Sequence, residues 1–188
     1  MNSIVQVDIS EMAVKAYREP QSFAVIYELY FSRIYNYVRY RVRNPETTDD
    51  LTSLIFEKVF TKIKFFNPEK GNFTAWLFTI AYHEVSDYFR NWNKNQWTSI
   101  EAYSEIAGTS QDLGDILVEN ELRSRLLNAL AELSERERNI VALKFWSGLT
   151  NRSIAKLSGL SESNVGVIIY RAMRRLHSIL GSGGEKFL

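Results

Sequence analysis

The chain has 188 residues, a near-balanced charge of 23 Lys and Arg against 22 Asp and Glu, and no cysteine. That length holds one large or two small domains with real cores. Without cysteines, and with only His83 and His177, disulfides and a Cys/His zinc site are excluded. There is no basic-apolar signal pattern and no apolar run long enough to cross a bilayer, so a soluble cytoplasmic protein without membrane insertion is expected.

Residues 1–18 carry little pattern and read as a loose arm or a short helix. Pro20, Pro45 and Pro68 punctuate the first half. Between the first two, Phe23, Ile26, Tyr27, Tyr30, Ile34, Tyr37 and Val38 recur at helical spacing. A second helix is expected after Thr47-Thr48-Asp49-Asp50, a capping sequence, with Leu51, Leu54, Ile55, Val59 and Ile63 on one stripe. Phe56 and Phe60 project from another side of it. They form either a ridge for a partner's groove or a second buried face.

The Phe66–Asn72 loop ends that helix with Pro68 and Gly71. A third helix, about 73–92, carries Leu77, Ile80, Ala81, Val85, Tyr88 and Phe89 inward, while Trp76, Tyr82 and Trp92 fall off the stripe or at its edge. Aromatics here alternate with Lys62, Lys64, Lys70, Arg90 and Lys94. Such a mixture can stack on unpaired bases while cations hold the backbone, or its rings can simply be core. His83-Glu84 reads as a polar surface pair, since no second histidine or carboxylate cluster accompanies it.

From about Asn93 to Gln111 the periodicity fades into Ser, Thr, Gly and acidic residues, a flexible linker. A fresh helical pattern starts at Leu113. Next comes Leu133-Ser134-Glu135-Arg136-Glu137-Arg138, in which Ser134 and Glu137 form a capping box ahead of Ile140, Val141 and Leu143. That helix should stop near Gly148, and Thr150 can cap the next. Ala155 lies four places before Gly159, with Val165 and Ile168 following, which is the spacing of a helix-turn-helix. The helix from Glu162 to Leu180 should turn Val165, Ile168, Ile169, Ala172, Leu176 and Ile179 inward and Arg171, Arg174 and Arg175 outward, toward phosphates. Acidic residues crowd 96–121 and basic ones 150–180, where Glu162 is the lone acid. Modest intrinsic DNA affinity, supplemented by a larger partner, fits this division.

The fold class is all-α: two small helical domains joined by a flexible linker. The expected boundaries are an arm at 1–18, a first domain at 19–94, an acidic linker at 95–112, a second domain at 113–180 and a tail at 181–188.

Several strings in this order resemble the extracytoplasmic-function class of the bacterial sigma-70 family: Asp49-Asp50-Leu51 with Phe56 and Phe60; Phe73-Thr74-Ala75-Trp76-Leu77-Phe78-Thr79-Ile80-Ala81 with Asp87-Tyr88-Phe89-Arg90; the Leu133–Arg138 string; and Tyr170-Arg171-Ala172. The resemblance implies a region 2 helical bundle and a region 4 helix-turn-helix that bind core RNA polymerase and promoter DNA. Asp50, Leu51, Phe56 and Phe60 would dock on the clamp helices of the largest polymerase subunit, and the second domain would meet the flap of the second-largest. Phe66, Asn67, Lys70, Asn72, Trp76, Tyr82 and Arg90 would recognise and help melt the −10 element. Arg152, Ser161, Ser163, Asn164, Val167, Tyr170, Arg171, Arg174 and Arg175 would read the −35 element. An anti-sigma partner is implied, and no cofactor, metal or catalytic residue.

Two departures from the class pattern stand out. Ser53-Leu54 replaces a common Gln-Glu pair, which puts the docking weight on Asp50, Phe56 and Phe60. Gly166, Val167 and Ile168 replace common polar residues, which leaves Val167 to contact thymine methyls. The competing reading is a free-standing helix-turn-helix regulator that binds a palindrome as a dimer without polymerase.

Overall fold

The computed structural model describes residues 2–96, 125–126 and 128–181, and every regular element among them is helical. They fall into two compact units, one before and one after segment 97–124. Most of the expected linker, and the helical pattern from Leu113, lie outside the described residues.

The first unit is built from α1 (Asn2–Lys15), α2 (Pro20–Val42), α3 (Pro45–Lys62) and α4 (Phe73–Gln96). Of the two readings of residues 1–18, the helix is the one adopted: α1 buries Ala13, Ala16 just beyond it is buried too, and the helix packs mainly on α2. Pro20 opens α2 with its φ already helical, and Arg43 closes it at φ 67°, its N–H bonded to the Arg39 carbonyl.

α3 starts earlier than Thr47–Asp50 would have it. The Asn44 side chain accepts from the Thr47 N–H at 2.8 Å, Pro45 takes the first helical position, and the Thr48 hydroxyl donates back to the Asn44 carbonyl at 2.7 Å. Asn-Pro is therefore the start signal, and the Thr-Thr-Asp-Asp run lies inside the first turns.

Ile26, Tyr30, Ile34, Tyr37 and Val38 of α2 meet Ile55 and Val59 of α3 and Phe73, Leu77, Phe78, Ala81 and Val85 of α4 in one core. Each large side chain fully withdrawn from water there contributes about 1.5–3 kcal/mol. Several polar groups in this core are partnered, though the buried Thr52 hydroxyl has no hydrogen bond among the described residues. Tyr30 and Thr74 share a 2.7 Å hydroxyl contact. Arg41 lies 4.9 Å from the Phe89 ring centre. Burial pushes the Tyr37 phenol up to about 12 against the opposing pull of Arg41. Lys58 donates to Glu84 at 2.6 Å and ties α3 to α4, so Glu84 is an interhelical partner rather than half of a surface pair with His83.

The second unit holds α5 (Glu135–Ala142), a π-helical turn (Leu143–Ser147), α6 (Asn151–Ser158) and α7 (Glu162–Gly181). The capping box forms as expected: Ser134 Oγ accepts from the Glu137 N–H, and Glu137 reaches back to the Ser134 N–H at 2.9 Å. Arg138 donates to the carbonyls of Leu130, Ala131 and Leu133 at 3.0–3.1 Å, clasping the end of the helical segment at 128–131. Gly148 and Gly159 take left-handed φ values of 65° and 70° at the two turns.

Candidate nucleic-acid interface

The turn between α6 and α7 fixes the reading helix. Thr150 caps α6 by accepting from the Ser153 N–H at 3.1 Å. Gly159 reverses the chain, and Leu160 donates to the Ala155 carbonyl at 3.0 Å. Ile154, Ala155 and Val165 close the angle from inside. Val165, Ala172 and Leu176 anchor α7, with Ile168 and Ile169 half-buried beside them.

At 3.6 residues per turn, Ser163, Val167, Tyr170 and Arg174 form a line opposite that anchor. All four are exposed, Val167 at 45% and Tyr170 at 67%. Asn164 and Arg171 flank the line on one side, and Arg152 is exposed on α6. Arg175 sits nearer the core edge, 3.8 Å from Glu132, so its charge is partly spoken for within the unit. Ser161 Oγ accepts from the Asn164 N–H at 3.2 Å and caps α7, which leaves its O–H as a donor. A line of small polar, apolar, aromatic and cationic groups on a free helix face matches what a major groove offers in base edges, thymine methyls and phosphates.

In the first unit, two short 3-10 turns, Ile63–Phe65 and Pro68–Lys70, carry the chain from α3 to α4. Phe66 had been expected on the DNA face, but it is only 8% exposed. Its ring lies 5.3 Å from Phe73 and 5.7 Å from Trp76, so it supports the loop from below. Asn67 and Asn72 spend their side-chain oxygens on the Glu69 and Ala75 N–H groups at 2.8 and 2.7 Å, so the donors of their amides are not used in these bonds. Lys70 is exposed, Trp76 and Tyr82 are half-buried, and Arg90 is exposed and paired with Asp87 at 2.8 Å. One exposed ring escaped the sequence reading of this site: Phe65, 72% exposed, with the Lys64 ammonium 5.0 Å from its centre.

The docking residues expected on α3 divide. Asp50 is exposed, and Phe60 is 51% exposed with its ring edge-on to Phe23 at 4.9 Å. Leu51 and Phe56 are buried, Phe56 at 4% and 4.6 Å from Tyr27. α3 is thus buried on two sides along most of its length, and Leu54 and Phe60 are its exposed large apolar side chains.

Compared with known proteins, residues 26–95 match the Sigma-70 region 2 model, and residues 123–176 match that of Sigma-70 region 4. The chain belongs to the extracytoplasmic-function class of the sigma-70 family. Among its relatives are the ECF RNA polymerase sigma factor BldN of Streptomyces coelicolor and the RNA polymerase sigma factor YlaC of Bacillus subtilis. BldN is 29% identical over 86% of this chain and 61% of its own length. YlaC is 27% identical over 86% of this chain and 93% of its own length. The chain therefore spans about three-fifths of BldN and nearly all of YlaC.

Two solved structures share the fold. The sigma factor RpoE of Bartonella quintana, crystallised with the anti-sigma factor NepR, has a TM-score of 0.71 at 21% identity, covering 86% of this chain and 98% of that one. CnrH, in complex with the cytosolic domain of CnrY, has a TM-score of 0.68 at 19% identity, covering 92% and 97%. A sigma factor directs RNA polymerase to promoters, and its two matched regions coincide with the two compact units. Among the described residues no helix is long and apolar enough to cross a membrane.

Proposed function

We propose that this sigma factor divides promoter recognition between its units, taken as residues 19–94 and 113–180 with segment 95–112 between them. α7 enters the major groove of the −35 element. Ser163, Asn164, Val167 and Tyr170 meet base edges, while Arg152, Arg171, Arg174 and the rim residue Arg175 hold phosphates. The Phe66–Asn72 loop and α4 engage the −10 element, with Lys70 and Arg90 on the backbone and Trp76 and Tyr82 against unstacked bases. The amide groups of Asn67 and Asn72 supply donors at the loop rim. Asp50 and Phe60 lead the contact with the clamp helices, Leu51 and Phe56 set the shape of α3 beneath them, and the second unit meets the flap.

Holding extruded bases open requires binding energy and no covalent step, so the protein works without catalysis, cofactor or metal. It acts in the cytoplasm, and an anti-sigma protein restrains it; RpoE of Bartonella quintana is likewise seen in complex with an anti-sigma factor. The observation that carries this reading is the free line Ser163–Val167–Tyr170–Arg174 on a helix anchored from behind, in a chain that matches both sigma regions in order. The test is transcription in vitro with bacterial core RNA polymerase on a genomic library, followed by mapping of start sites. Selective starts that share two elements upstream, and that vanish without the protein, are expected; unselective initiation would refute the reading.

A further inference from the structure

Helix α1 lies ahead of the segment that matches region 2, which begins at residue 26, yet it is packed and not trailing. Its C-terminal end and the 3-10 turn after α3 enclose an open groove of about 540 Å³, lined in part by Lys15, Tyr17, Arg18, Lys64 and Phe66. Three cations face one acid in its wall, and that acid, Glu19, already accepts from the Ser22 hydroxyl at 3.0 Å. The Lys64 ammonium stands 6.0 Å from the Tyr17 ring centre and 5.0 Å from that of Phe65. Both rings are exposed, Tyr17 at 59% and Phe65 at 72%.

Large exposed rings spaced around a cation, beside further cations and away from any internal partner surface, have the composition of a single-strand track. An apolar protein partner would not call for the three cations, and duplex DNA would not call for the open rings. Phe66, part of the groove's wall, also begins the Phe66–Asn72 loop, so the groove adjoins the −10 loop in sequence and in space.

We propose that this groove is a second single-stranded DNA site, in which unpaired nucleotides adjoining the −10 segment stack on Tyr17 and Phe65 while Lys15, Arg18 and Lys64 hold their phosphates. The proposal rests on the Phe66–Asn72 loop engaging the −10 element. α1 thereby extends the melted stretch that the first unit can hold.

The test uses holoenzyme reconstituted with the full chain, and fork DNAs built from a promoter mapped as above. Each fork carries the −10 segment single-stranded, with or without about four further non-template nucleotides on either side. An added tail on one side should tighten binding of the unaltered holoenzyme about tenfold, given the usual worth of base–aromatic stacking. Tyr17→Ala should remove most of that gain and leave binding of the tail-less fork unchanged, and Phe65→Ala should likewise remove most of the gain. Lys64→Gln should lower the salt dependence of the gain. An equal gain in all variants, or no gain on either side, overturns the groove while leaving the −10 loop intact. Tail-less fork binding that is indifferent to Lys70→Ala and Trp76→Ala overturns the loop assignment and the groove with it.

Discussion

Ser134 and Glu137 bind each other's backbone N–H at the start of α5, and the Glu137 carboxyl is held below its ordinary range as a result. The Ser134 hydroxyl contributes most, then the Ser134 N–H, with a smaller pull from Arg175 and Arg171 opposing the cost of burial. The charged form is therefore favoured in the folded state. Its contribution to stability is full above the ordinary carboxyl value of 4.5 and is lost as pH falls through the lowered one. Ser134→Ala should cost about 1 kcal/mol. Amide exchange across Glu135–Ala142 in the full chain should accelerate accordingly at neutral pH. Below the carboxyl range that difference should shrink, and Glu137→Gln should flatten the acid dependence; an unaltered acid profile in Glu137→Gln would remove this carboxyl from the account. A second residue-scale contrast follows from two adjacent rings. Phe66 is wedged against Phe73 and Trp76, whereas Phe65 faces out. Phe66→Ala should destabilise by about 3 kcal/mol or more through the cavity it leaves, and Phe65→Ala by well under 1 kcal/mol. Thermal unfolding of the two variants measures this directly, and equal melting temperatures would contradict the packing.

Among the elements, α7 has the most to say about specificity. The first half of its outward line is Ser163 and Val167, with no cation until Arg171 and Arg174. Charge is thus available for phosphates, and methyl contact for bases. Arg174→Ala should weaken duplex binding across all sequences and lower the salt slope by about 1. Substituting deoxyuridine for thymine in the mapped −35 element removes the C5 methyl and nothing else. Holoenzyme affinity should fall at one or two positions, and Val167→Ala should be indifferent to the same change. Retained sensitivity in Val167→Ala would assign the methyl contact to another residue. The helices were readable from sequence because inward residues recur at a helical period, and the capping box, Thr150, Gly148 and Gly159 announce the ends in the second unit by local chemistry. Two things were not readable. The start of α3 turned on whether Asn44-Pro45 or Thr47–Asp50 would supply the cap, a choice decided by which side chain could reach a free N–H. The fate of Phe56 turned on tertiary contact: a helix with large apolar residues on two sides reads alike whether the second side meets a partner or, as here, Tyr27 and Phe31 of its own unit.

Taken whole, the chain is nearly neutral, with a net charge of +1, although it belongs to a family that handles DNA. Much of the affinity of a protein for duplex DNA comes from neutralising phosphates, and it falls steeply with salt. On α6 and the outward side of α7 only Arg152, Lys156, Arg171 and Arg174 are exposed cations without an ion pair to another side chain assigned above, because Arg175 leans toward Glu132. The acidic residues clustered in 96–121 add an unfavourable field of their own toward a polyanion. The free protein should therefore bind a −35 duplex only weakly at physiological salt, and the same duplex in a full promoter should be held tightly once core polymerase supplies the rest of the contact. That ordering separates the sigma factor from a free-standing regulator, which would have to carry its own affinity and would be expected to bind a palindrome as a dimer. A gel-shift series with and without core enzyme tests it at a fixed salt concentration. Binding that appears only with core enzyme, and weakens when exposed Phe60 is replaced by Ala without a change in melting temperature, is the expected result. Tight binding by the protein alone, insensitive to Phe60→Ala, would mean that the DNA affinity resides in this chain and that the charge argument is wrong.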